Sequence, residues 1–214
     1  MNPPDPGAVL AFWASGLGIG TAVVYFWKVA RPAFVRLGAG ISSVLGLGAA
    51  LLGLGPSAWV GVGLAVGAAF SRQGALLGAA SALWLVASAN QLGWMSALIG
   101  TACLGAISAE MLLGHWFLVD PKLPRWPLRR LALAGIAGAA LEGVRVSTLD
   151  STSLLASTPV LVGLAATAVL LMIGVLLSLR VKSYTGVMAA TGLSYLATLT
   201  ALAVVIISRP QSIG

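Results

Sequence analysis

The sequence predicts an all-α fold: a polytopic integral membrane helical bundle of about eight transmembrane helices, with six or seven left open by its weakest spans. Three observations lead there. The first is composition: 59% of residues are hydrophobic, 8% are charged and the mean hydropathy is +1.01, well outside the range of soluble domains. The second is length. A hydrocarbon core about 30 Å thick takes roughly 20 apolar residues per helix, so a chain of 214 residues with short connectors has room for its spans and little else. The third is pattern: runs such as "LAATAVLLMIGVLLSL" (164–179) lack the apolar–polar alternation of barrel strands.

In chain order, spans are expected near 8–28, 37–54, 57–71, 74–91, 94–118, 130–147, 154–179 and 184–207. Local chemistry marks the breaks: "ARP" at 30–32, "GPS" at 55–57, "NQLG" at 90–93, the proline-rich segment at 120–127, "STLDSTS" at 147–153 and "RVKS" at 180–183. The third span is short and only "SRQ" separates it from the fourth, which leaves a re-entrant pair open there. The opening "MNPPDPGAVLAFW" carries an acidic residue where a secretory signal carries basic ones, so the first segment is expected to be a retained span.

Charge predicts the threading. With eight spans, one set of loops holds Lys28, Arg31, Arg36, Arg72, Lys122, Arg125, Arg129, Arg130, Arg180 and Lys182, leaving Arg145 and Arg209 on the other side. Lys and Arg concentrate on the cytoplasmic side, so N-out/C-out is expected, in a bacterial-type cytoplasmic (inner) membrane. Trp27, Trp59, Trp94, Trp116 and Trp126 fall near span ends, where an amphipathic ring is favoured. The chain reads as a single transmembrane domain, 1–214. A faint parallel repeat, 1–92 and 93–214, rests on the aromatic and basic, proline-bearing exits shared by spans 1 and 5.

Of the chain's 27 glycines, many lie inside spans, and "GLGIG" (16–20), "GLAVG" (63–67) and "GALLG" (74–78) place small residues four apart. That spacing predicts grooves for close helix contact, principally within the bundle. Cys103, the single cysteine, excludes an internal disulfide and reads as a packing residue.

Intramembrane ionisable residues are costly and raise functional questions. Glu142 and Arg145, three apart on one helical face, predict a buried charge pair. Glu110 then needs another partner or a proton. Helix rise places Glu110 about 12 Å and Glu142 roughly 18 Å from the inner edge, which predicts two carboxylates near in depth. His115 sits some 140° around the helix from Glu110, so the two make no dyad. With Trp116 it forms an interfacial pair, or a contact to a quinone or lipid headgroup. A lone histidine supplies neither paired haem ligands nor a zinc cluster, so no metal is expected.

The loop "DPKLPRWPLRR" has prolines at 121, 124 and 127, which are expected to forbid a continuous helix. Its Lys122, Arg125, Trp126, Arg129 and Arg130 suit lipid headgroups or a docking partner. Basic residues scattered through short loops do not make a nucleic-acid stripe, and no phosphate-binding glycine loop or zinc helix motif occurs.

These features predict an integral membrane subunit of a larger inner-membrane assembly, redox-linked in one version. It would pack or anchor partners and hold a quinone, lipid or proton site near Glu110, His115 and Trp116. The alternative is a small self-contained secondary transporter with its site at Glu110, Glu142 and Arg145. No catalysis and no cofactor is expected of this chain alone, and its partners should be membrane lipids and other membrane-protein subunits.

Overall fold

A computed structural model describes residues 6–148 and 157–209. Among them the chain is entirely helical, in eight helices: α1 (Pro6–Phe26), α2 (Pro32–Leu51), α3 (Pro56–Ser71), α4 (Gly74–Leu92), α5 (Trp94–Trp116), α6 (Trp126–Ser147), α7 (Thr158–Ser178) and α8 (Tyr184–Ser208). Six are long and apolar enough to cross a membrane. The other two are α3, at 16 residues, and α6, which carries Arg129, Arg130, Glu142 and Arg145. The chain is a multi-pass membrane protein built as a helical bundle.

Two starts differ from the pattern reading. Helices α2 and α6 begin earlier than residues 37 and 130, each with proline in its first turn. There the missing N–H costs nothing and the fixed φ is already helical. Pro127 therefore opens α6 rather than interrupting the segment, and only Pro121 and Pro124 stay in the loop. Residues 154–156 of the seventh predicted span lie outside the described residues. Helices α3 and α4 are separate, joined through Arg72 in the left-handed conformation (φ 59°).

The helices form two compact units. In the first, Asp5–Thr101, each of α1 to α4 packs on its neighbour in sequence and α4 returns to α1, a closed ring of four. Trp84, fully buried on α4, fills this ring. Its indole Nε1 donates to the Ala58 carbonyl of α3 at 3.2 Å. A Cβ at Gly46 of α2 would lie 2.1 Å from Trp84 Cζ2, and one at Gly61 of α3 would lie 2.6 Å from its Nε1. Two glycines thus make the slot that one tryptophan occupies. The motif glycines are mixed: Gly63 and Gly78 face open space, whereas Gly74 meets Tyr25 of α1 and Gly18, between the pair of "GLGIG", meets Ser81 of α4. Spacing alone did not distinguish a glycine facing a neighbour from one facing lipid.

The second unit begins at Ala102, inside α5. Helix α6 packs on α7 and α7 on α8. Helix α5 meets α6 backbone to backbone, since a Cβ at Gly138 would stand 2.7 Å from Cys103 Cα. It meets α8 at Gly114, opposite Thr191. In both units the interior favours small side chains, such as Ala165 and Ala168 of α7, while Phe70, Met95, Val44 and Leu170 are exposed. Lipid solvates such large apolar groups, so close packing goes to small residues inside.

Candidate functional site

The polar chemistry of the second unit gathers at three levels along α8. Near its middle, Glu110 of α5 is fully buried, and the Ser194 hydroxyl hydrogen-bonds its Oε2. That hydroxyl also lies 2.9 Å from the Ala190 carbonyl of its own helix. Glu110 Oε1 is buried without a hydrogen-bond partner. Thr191 and Thr198 flank Ser194, each hydroxyl donating to the carbonyl four residues back. The Thr198 hydroxyl also approaches Met111 Sδ at 3.8 Å.

At the far end of α8, Glu142 of α6 is held by two arginines. Arg145 Nη2 and Nε reach its Oε1 at 2.8 and 3.1 Å. Arg209 Nη1 reaches Oε1 at 2.6 Å and Nη2 reaches Oε2 at 3.1 Å. Ser208 joins them, accepting from Arg145 and lying 3.4 Å from Glu142 Oε1. Burial of the carboxylate and of the Arg209 side chain calls for such pairing, because a stranded charge in a low-dielectric interior is costly.

Glu110 and Glu142 are therefore not close in depth. Their partners Ser194 and Ser208 are separated by about 21 Å of helical rise on α8. The structure gathers Glu142 and Arg145 and leaves Glu110 apart from them. Glu110 and His115 are divided too: the first is buried inside the unit, the second exposed at the end of α5, with Trp116 half-buried beside it.

At the near end, residues 117–125 and the short link from α7 to α8 are tied together. Arg125 donates to the carbonyls of Val181 and of Ser183, the latter at 3.0 Å. Ser183 caps α8 by accepting from Gly186 N at 3.2 Å, and Phe117 tilts against Tyr184 with ring centroids 6.3 Å apart. The Arg130 guanidinium stacks over the Trp126 ring at 4.9 Å. Lys122, Trp126, Arg129 and Arg130 are exposed.

Sequence reasoning did not join three participants to these carboxylates. Ser194 lies in an apolar span, and nothing local ties it to a carboxylate 84 positions away. Ser208 gave no signal. Arg209 did: with Arg145 it is one of the two basic residues left on the same side by the threading. Among the described residues no group of histidine, cysteine and carboxylate side chains could hold a metal ion. An apolar groove of about 490 Å³ opens between α6 and α7, lined by Ala140, Gly143, Val162, Ala166 and Leu170 with Ser147 at one end. In comparisons with protein-family models, curated proteins and solved structures, the chain matches none.

Proposed function

We propose that the chain is an integral subunit of a larger assembly in a bacterial-type cytoplasmic membrane, threaded with both termini outside, where it packs and anchors partner subunits. The observation that carries this reading is the internal use of buried charge. Glu142 is occupied by two guanidiniums and Glu110 by Ser194, so these groups fix helix register. A solute finds none of them assembled as one site. Redox or energy coupling would then belong to the partners. Large exposed apolar residues along α2, α7 and α8 give surface for lipid and for other membrane helices.

The test is extraction from native membranes in mild detergent, followed by sizing and composition analysis. A stoichiometric complex is expected. A lone monomer that moves a solute across liposomes would overturn the proposal.

One observation favours the transporter reading: Glu110 Oε1, buried and without a hydrogen-bond partner, is an acceptor open to a proton or ligand. Under that reading Glu110→Gln stops flux through the purified protein alone. A proton or quinone role inside the assembly predicts instead that Glu110→Gln and His115→Ala each abolish the parent activity with subunit composition intact.

A further inference from the structure

We infer that the end of the second unit where α5, α6, α7 and α8 meet their connecting loops is a built site for the headgroup of an anionic phospholipid. The two loop segments, residues 117–125 and 179–183, with the first turn of α6 carry six basic residues against one acid, Asp120. Lys122, Arg129, Arg180 and Lys182 are all exposed. None of these four side chains makes a hydrogen bond or ion pair among the described residues. Six cations against one carboxylate at one end of the unit leave an excess of positive charge, which a phosphate diester relieves.

The site is shaped in advance by Arg125. Its guanidinium spans the carbonyls of Val181 and Ser183, the residues on either side of Lys182. The arginine therefore brings the cation of one loop beside the segment that bears Trp126 and Arg130. Gly186 tightens the same turn: a Cβ there would stand 2.7 Å from the Val181 carbonyl oxygen. Trp126 and Tyr184 are each partly exposed, at 40% and 49%, and such rings at helix ends lie at headgroup level. Both loops are too short to project far beyond that level. A membrane lipid is thus the occupant in reach, and the site is proposed for lipid rather than for a protein. The inference rests on membrane embedding and is independent of whether the chain is a subunit or a transporter.

Native mass spectrometry of the purified full chain tests it, with phosphatidylglycerol as the probe and phosphatidylcholine as the zwitterionic control. Wild type should retain phosphatidylglycerol preferentially. Arg129→Gln, Arg180→Gln and Lys182→Gln should each weaken retention by about fivefold, the scale of one cation near an anionic membrane surface, and Arg125→Gln should weaken it without removing a contact to the headgroup. Thermal unfolding without lipid keeps folding defects separate, and the surface glutamines should leave it unchanged. Equal retention of both lipids, or an unaltered preference in the triple variant, would overturn the proposal. So would displacement by inorganic phosphate at equal concentration, which marks a free-phosphate site, or loss of a protein subunit from the triple variant with lipid retention intact.

Discussion

Arg209, which closes α8, grips Glu142 of α6 by both carboxylate oxygens, at 2.6 and 3.1 Å, whereas Arg145 reaches only Oε1. A two-pronged guanidinium–carboxylate contact is the stronger form. Arg209→Ala should accordingly destabilise the folded protein more than Arg145→Ala, while Glu142→Gln, which strands both cations, should cost most, about 3–5 kcal/mol. Thermal unfolding in detergent ranks the three. Equal or larger damage from Arg145→Ala would show that Arg209 is the minor partner. The double change Glu142→Gln/Arg209→Gln should recover part of the Glu142→Gln loss, since one cation rather than two is then left unpaired.

The Glu110–Ser194 contact separates stability from function. Ser194→Ala removes the donor to a buried oxygen, an omission worth about 1–3 kcal/mol. Glu110→Gln keeps a carbonyl that accepts the same hydroxyl, so its unfolding temperature should stay near wild type. Activity measured on Glu110→Gln then reports the carboxylate itself. A Glu110→Gln protein that fails to fold would mean the carboxylate is structural.

The Trp84 slot gives a steric prediction. Gly46→Ala and Gly61→Ala both drive a methyl into the indole and should cost about 1–3 kcal/mol each, as overpacking does. Gly40→Ala and Gly63→Ala, which face open space, should be nearly neutral. Trp84→Leu should cancel much of the Gly46→Ala penalty in a double-mutant cycle. Additive losses would place the indole elsewhere.

Threading is tested by labelling. Gln73, Asn90 and Lys122 are all exposed and Cys103 is buried, so single cysteines in a Cys103→Ala background report cleanly. Cysteines at 73 and 122 should react only from the cytoplasm, and one at 90 only from outside. Labelling of 90 and 122 from one side would overturn the eight-span model.

Helix number and most boundaries were legible because the bilayer imposes a length and turn residues mark breaks, whereas the starts of α2 and α6 were missed because a first-turn proline was read as a breaker. The Glu142–Arg145 contact was legible for a similar reason: three positions on one helix fix their distance. Arg209 was half legible, since threading gave its side of the membrane but not its neighbour. Ser194 and the Trp84 slot were not legible at all. Both depend on which face of a nearly all-apolar helix turns inward, and a helix apolar all round has no periodicity to disclose it. Glycine spacing suffered from the same ambiguity, as Gly63 and Gly78 illustrate.

The contacts of α8 also impose an order in time. Glu142 leaves the ribosome three residues ahead of Arg145 and is provisionally neutralised within its own helix. Glu110 has no such local companion; its donor, Ser194, and the second guanidinium for Glu142 both arrive with α8, after α5, α6 and α7 have been made. The middle of α8 enters lipid with its hydroxyls already satisfied, because Thr191, Ser194, Thr198 and Thr200 each bond the preceding turn. Two acids inserted early thus wait for one helix inserted late. Until α8 docks, the second unit is a bundle with an unfinished polar interior.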